Sequence, residues 1–327
     1  MTVEDLDSRL KWLDNVCKMY AVGKEVYDMC ADTLKTMPGA EMIVSPANLG
    51  DTVFIATLSE AYKKVHGVKT LLIVARDRQA DAAEWFEGVD NVVGLGNTEM
   101  ICLRYYFTVS RKFYENGIRY GHVPCYITPE EPGVFFHIPP GFDGQSLKKT
   151  WERRILDLPE NSPTCNIRIP DGVRSENADK YRDAVLIAPA AFTNQGIPDS
   201  FWEKLVHRIQ GEGYRVYCNS GGLHYDKMIE GCEEFAAGTK DLILDAPLFR
   251  HVIAVRSGFT DLVSKTDARL TVLHLGAPED SVSRVVYGTR GDDVRDLGRM
   301  EGIFPVVHVP GKEEELINLI MEDVGPK

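Results

Sequence analysis

The chain has 327 residues, of which 44% are hydrophobic and 26% charged, a composition that excludes disordered, fibrous and disulfide-scaffold classes and leaves room for a sizeable core. Its formal charge of -12 argues against broad binding to nucleic acid or to an anionic membrane, because phosphate-rich surfaces are held by excess Lys and Arg. Seven cysteines show neither CxxC pairs nor metal-like spacing with histidine, which suits small buried thiols in a reducing cytosol.

A chain this long usually divides, and we expect two domains, residues 1–175 and 176–327. The N-terminal MTVEDLDSRLKW is acidic and lacks the basic and apolar regions of a signal peptide. No run approaches the roughly 20 apolar residues of a membrane span, so a cytoplasmic protein with at most peripheral membrane contact is expected.

Residues 4–36 carry Leu6, Leu10, Leu13, Val16, Cys17, Tyr20, Val26, Met29, Cys30 and Leu34 at helical spacing, which predicts one or two amphipathic helices. From Glu41 the pattern changes. EMIVS reads as a strand, Asp51 to His66 as a helix, KTLLIVA as a strand, Ala80 to Phe86 as a short helix and NVVGLG as a strand, the alternation of βαβ units and a parallel sheet. Glu99 to Trp151 is rich in aromatics and prolines, and VPCYITPEEPGVFFHIPPG within it reads as loop and short extended pieces. After the polar PENSPTCNIRIPDGVRSENAD a second alternating block begins: DAVLIAP, a helix from Ser200 to Gln210, YRVYCN, LFRHVIAVRSG as a helix end entering a strand, and ARLTVLHLG as a closing strand. The final EEELINLIMEDV reads as a helix across the domain junction. Two Rossmann-like domains follow from this pattern.

In open parallel α/β sheets ligands bind beyond the carboxyl ends of strands, and three strand exits carry unusual residues. In SPANLGDTVF, Gly50 supplies a turn and Asp51 opens a helix; Asp51 is either a helix cap or a general base aimed at a hydroxyl nucleophile. In Ala188–Gly196 a loop of small residues offers backbone N–H groups and the Thr193 hydroxyl to a phosphate, or is an ordinary βα connection. In HVIAVRSGFTDL, Ser257 and Gly258 put amides at a helix N-terminus beside Arg256, an arrangement suited to an anion; the alternative is a Ser257 cap with Arg256 bridged to Asp261.

Weaker signals are the DxD of Asp5 and Asp7, read as a solvated helix start, and the stretch Arg104, Tyr105, Tyr106, Arg111, Lys112 and Tyr114, which could hold a sugar or an anionic acceptor but reads more simply as core on one face and charge on the other. The histidines show no HxxxH pairing, and the sequence contains no GxxxxGK[ST], GxSxG or strand-linked GxGxxG. Neither a protein-built metal site nor a P-loop, serine-hydrolase or dinucleotide site is expected.

The segments IVSPANLGDTVFIATLSEAYKKVHGVKTLLIVARD, VLIAPAAFTNQGIPDSFWEKLVHRIQGEGYRVYCNSGG and LFRHVIAVRSGFTDLVSKTDARLTVLHLG together resemble glycosyltransferase family nine, the ADP-heptose:lipopolysaccharide heptosyltransferases. The resemblance covers about residues 41–96 and 181–276. It implies a GT-B fold of two Rossmann-like domains with parallel sheets facing an interdomain cleft. It also implies an inverting, metal-independent sugar transfer from a nucleotide-diphosphate donor, with no further cofactor, to a hydroxyl of a cell-surface glycan or glycolipid. Asp51 inherits the role of catalytic base, Asn48, Gly50 and Arg104 fall on the acceptor side, and Thr193, Asn194, Arg256, Ser257, Gly258 and Asp261 on the donor side. Two departures stand out: Arg256-Ser257-Gly258 and then Asp261 replace the family's Asp-[Ser/Thr]-Gly and histidine, and the family's lysine is absent near Asn194 to Gly196. A nucleotide-sugar 2-epimerase of the same architecture and a non-catalytic nucleotide-sugar-binding protein are the alternatives.

Overall fold

The computed structural model describes residues 3–122, 125–127, 135–137, 146–191, 197–220, 228–277 and 280–327. The described chain divides into two compact units, Met1–Asn166 and Ile167–Lys327.

The first unit opens with one uninterrupted helix, α1 (Val3–Lys35). There follow β1 (Ala40–Val44), α2 (Leu49–Thr57), α3 (Ser59–His66), β2 (Thr70–Arg76), α4 (Asp77–Ala83), β3 (Asn91–Leu95), α5 (Asn97–Ser110), β4 (Tyr114–Glu115), β5 (Ile118–Tyr120), β6 (Cys125–Ile127), β7 (Phe135–His137) and α6 (Leu147–Thr150), which runs into a π-helical turn at Trp151–Ile155. The sheet order is β3-β2-β1-β5-β4. β1 lies parallel to both β2 and β5, and β4 closes the edge antiparallel to β5. The pair β6-β7 forms a separate antiparallel ribbon.

Strands buried on both sides need a helical layer on each face. On one face α1 gives Val26, Tyr27, Cys30 and Leu34, and α5 gives Met100, Leu103, Tyr106 and Phe107, to a core shared with Met42, Val44, Leu72 and Val74. One sequence expectation is corrected here: the helix expected over Asp51 to His66 is two helices that break at Leu58. Most of the stretch VPCYITPEEPGVFFHIPPG, read as loop and short extended pieces, lies outside the described residues.

The second unit comprises α7 (Ala178–Tyr181), β8 (Ala184–Ala188), α8 (Asp199–Gly211), β9 (Arg215–Asn219), β10 (Glu233–Phe235), α9 (Thr239–Asp245), β11 (His251–Val255), α10 (Gly258–Ser264), β12 (Leu270–Leu275), β13 (Ile303–His308) and α11 (Glu313–Val324). All six strands are parallel in the order β10-β9-β8-β11-β12-β13. With β8 counted as first this is 3-2-1-4-5-6, the Rossmann order. β12 is not the closing strand expected from the sequence, because β13 pairs beyond it. α8 and α11 bury Phe201, Trp202, Leu205, Val206, Leu316, Ile317 and Ile320 against β8, β9 and β11, so the apolar face of the final helix is used within this unit.

Candidate functional site

In the main sheet of each unit the strand order reverses once, and in open α/β sheets ligands bind at that switch point, beyond the carboxyl ends of the strands. In the first unit it falls between β1 and β5. The four residues after β1 are fixed from several sides. Ser45 N–H donates to Val74 O at 2.7 Å, the Ser45 and Thr52 hydroxyls share a buried 2.8 Å hydrogen bond, and Arg76 Nη1 and Gln79 Nε2 both donate to Ala47 O at 3.2 Å. Asn48 is the N-cap of α2, and its N–H donates to Asp51 Oδ2 at 2.7 Å. Asp51 is therefore the third helical residue rather than the cap, and one carboxylate oxygen closes the turn on itself.

The other oxygen, Oδ1, lies 3.9 Å from His122 Nε2. His122 follows β5 directly. Gly121 N–H donates to Val44 O at 2.7 Å, and a Cβ on Gly121 would lie 2.7 Å from Ile55 Cδ1 and 2.8 Å from both Ile43 Cγ2 and Val44 O. Only glycine lets the chain leave β5 so close to β1 and α2, which sets His122 beside the first turn of α2. Its ring meets Trp151 edge-on at 5.8 Å, and Trp151 in turn meets Phe54 at 5.9 Å.

Arg76 and Arg104 lie within electrostatic range of this turn. Burial, and next the charge of Arg104, lower the Arg76 pKa from its ordinary value, while Asp51 works in the opposite sense. Asn48, Gly50 and Asp51, named from the sequence, lie together at the start of α2, and Arg104, on α5, is linked to them only through its charge on Arg76. Arg76, Gln79, His122 and Trp151 join them without having been foreseen. Arg76 ends an apolar strand, a position that could have drawn attention; His122 follows a three-residue strand and carries no such signal. The neighbours Tyr105 and Tyr106 are core residues, as the simpler reading expected.

At the switch point of the second unit, between β8 and β11, Thr193 and Asn194 lie outside the described residues. At the Arg256 exit the structure shows the bridge to Asp261 that the sequence left open beside the anion reading. Arg256 is buried and bidentate to Asp261, with Nη1 to Oδ2 at 3.1 Å and Nη2 to Oδ1 at 3.0 Å. Its Nη1 also donates to Ser257 O at 3.0 Å and its Nε to Asp292 O at 2.5 Å. Ser257 N–H is not free either, since it donates to Thr260 Oγ1 at 3.0 Å. The pair Arg256–Asp261 is a buried ion pair that fixes the first turn of α10. The Asp292 carboxylate stands 3.5 Å from His274 Nδ1. Burial would raise its pKa, but the His274 contact and then the charge of Arg256 outweigh that and hold it down at about 2.

No protein-family model matches the sequence, and no curated protein matches it significantly. Solved structures do match. E. coli heptosyltransferase WaaC with ADP is similar at 14% identity and a TM-score of 0.51, over 87% of this chain and 99% of that one. E. coli ADP-heptose LPS heptosyltransferase II is similar at 11% identity and 0.54, over 87% and 98%. The iron-containing dodecameric glycosyltransferase TibC from enterotoxigenic E. coli H10407 is similar at 13% identity and 0.52, over 87% of this chain and 75% of that one. Likeness at these identities speaks for architecture, and the chain has the α/β fold of these heptosyltransferases, GT-B, with two Rossmann-like units.

Proposed function

We propose that the protein is a glycosyltransferase that moves a sugar from a nucleotide-diphosphate donor to an acceptor hydroxyl, with Asp51 as general base. The observation that carries this reading is the Asp51 carboxylate at the switch point of the first sheet, with Oδ2 tied to Asn48 N–H and Oδ1 left facing His122. A carboxylate anchored through one oxygen keeps its orientation while the other receives a proton. In the proposed inverting step the acceptor hydroxyl gives its proton to Oδ1, its oxygen forms the bond to the anomeric carbon, and the bond from that carbon to the diphosphate breaks. The donor belongs at the carboxyl ends of β8 and β11. With Arg256 paired to Asp261, the diphosphate there meets the Gly258 amide and the adjoining loop rather than the Arg256 guanidinium. The resemblance to family nine and the likeness in fold support a glycan or glycolipid acceptor.

The same Arg256–Asp261 clamp favours a second reading, a nucleotide-sugar-binding protein without transfer, because it takes a positive charge away from the leaving diphosphate. Thermal shift with ADP-, GDP-, UDP- and CDP-sugars, followed by transfer assays with the nucleotide that binds, separates the two. In the first reading Asp51→Asn keeps donor binding and loses transfer by a factor on the order of 10²–10⁴. Full transfer in Asp51→Asn removes the base assignment, and binding without transfer in the native protein selects the second reading.

A further inference from the structure

The charge that Arg256 commits to Asp261 has a counterpart one strand further along the second sheet. Backbone groups of alternate residues in a strand point to the same side. In β12 the odd-numbered residues turn to β11: Arg269 O, just before the strand, accepts Val252 N–H at 2.8 Å and Leu273 O accepts Arg256 N–H at 3.0 Å. The even-numbered ones turn to β13, since Leu270 N–H donates to Gly302 O at 2.8 Å and Gly276 N–H to His308 O at 2.9 Å. Leu275 O therefore points to the side of β11, past the last rung of that ladder, where the chain enters α10. The group that meets it there is Arg290, whose Nη2 donates to Leu275 O at 3.3 Å.

Arg290 leaves a pinned segment. Two residues on, Asp292 O accepts Arg256 Nε at 2.5 Å and the Asp292 carboxylate stands 3.5 Å from His274 Nδ1, and Asp293 Oδ1 then accepts Arg295 N–H at 3.0 Å. The segment is thereby tied to the ends of β11 and β12, with Arg290 half-buried. A guanidinium has five N–H donors, and among the described residues Arg290 uses one of them, on an uncharged carbonyl. The acids beside it have other partners, Asp261 on Arg256 and Asp292 at His274. Lys312 follows β13, the edge strand, and its Nζ donates to Asp280 O at 2.7 Å, one strand farther from the switch point.

We propose that Arg290 is the cationic group that holds the donor diphosphate at the carboxyl end of the second sheet, a role that presupposes the nucleotide-diphosphate reading given above. The planar fork takes two phosphate oxygens at once, and the bond to Leu275 O holds the fork in place before the ligand arrives. The positive charge facing a leaving diphosphate then comes from the segment after β12, in a chain that has no lysine near Asn194 to Gly196.

The test is isothermal titration calorimetry of the full chain with ADP, GDP, UDP and CDP at low and at physiological ionic strength. The native chain is expected to bind at least one of the four. Arg290→Gln should weaken that binding on the order of 10–100-fold, and Arg290→Lys, which keeps the charge without the fork, by less. Added salt should weaken binding more steeply in the native chain than in Arg290→Gln, a difference that a merely structural arginine would not produce. Arg290→Gln gives up one 3.3 Å hydrogen bond inside the protein, so its unfolding midpoint should match the native one. Binding by Arg290→Gln with native affinity and native salt dependence, or a native chain that binds none of the four diphosphates, overturns the proposal. Transfer assays keep the two readings apart: a diphosphate bound through Arg290 without sugar transfer sustains this site and removes the transferase, whereas transfer with an unchanged donor KM in Arg290→Gln removes Arg290 alone.

Discussion

Asp51 carries two duties that its residue type cannot separate. As the third residue of α2 it accepts Asn48 N–H at 2.7 Å, and as a carboxylate at a switch point it is the general base that we propose for the transfer. Substitution can divide them. Asparagine keeps an acceptor oxygen for the cap and removes the base, so Asp51→Asn should unfold at the native denaturant midpoint. Asp51→Ala should lose both, at a cost of about 1 kcal/mol from the lost cap. Arg256 presents the opposite case. Its side chain and that of Asp261 are 7% and 3% exposed, so Arg256→Ala leaves a buried carboxylate without its partner and should destabilise the protein by about 3–5 kcal/mol. The Arg256→Ala, Asp261→Ala double variant should recover part of that loss in urea unfolding. Equal losses in the single and double variants would mean that the clamp is not the source of the effect.

Packing between elements depends on a few glycines where backbones nearly touch. A Cβ at Gly23 of α1 would stand 2.0 Å from Cys102 O and 2.6 Å from Cys102 C on α5, so at this point the two helices meet backbone to backbone. Gly23→Ala should push α1 off α5 and cost about 1–3 kcal/mol, read as a lowered unfolding midpoint with the folded helix content retained. The two elements missed in the sequence, α5 and β13, have separate physical causes. Helix α5 buries Met100, Cys102, Leu103, Tyr105, Tyr106 and Phe107, apolar on more than one side, which blurs the 3.6-residue period. Strand β13 contains Pro305, which reads as a breaker, yet β13 is the edge of its sheet, where a missing N–H costs no ladder bond.

Across the whole molecule, pH is the variable with a defined sign. His251 is fully buried at the start of β11, with Nε2 2.8 Å from Thr271 Oγ1. Burial first, then the charges of Arg269 and Arg250, push its pKa down to about 3. The native state therefore keeps it neutral while the unfolded chain protonates it near 6.5. The unfolded state binds the extra proton, so this contribution is present above 6.5 and is lost as pH falls from there toward 3, by about 1.4 kcal/mol per pH unit. Burial lowers the His308 pKa as well, which adds in the same direction. Urea unfolding at pH 7, 6 and 5 should show falling stability. The fall should flatten in a His251→Leu, Thr271→Val variant, which removes both hydrogen-bond partners together; an unchanged slope would assign the acid sensitivity elsewhere.

What the sequence determined by itself was local and periodic: alternating apolar strands and amphipathic helices set two Rossmann-like blocks, and a Gly-Asp pair after a buried strand marked where a helix begins. Those features are legible because burial on a two-residue or 3.6-residue period leaves its trace in consecutive residues. Tertiary structure alone decided which groups meet. His122 reaches Asp51 because β5 pairs with β1 across some seventy residues of chain, and Arg256 spends its charge on Asp261 because the turn between β11 and α10 is buried. Both outcomes rest on distance and burial in space, quantities that residue type and spacing along the chain do not encode.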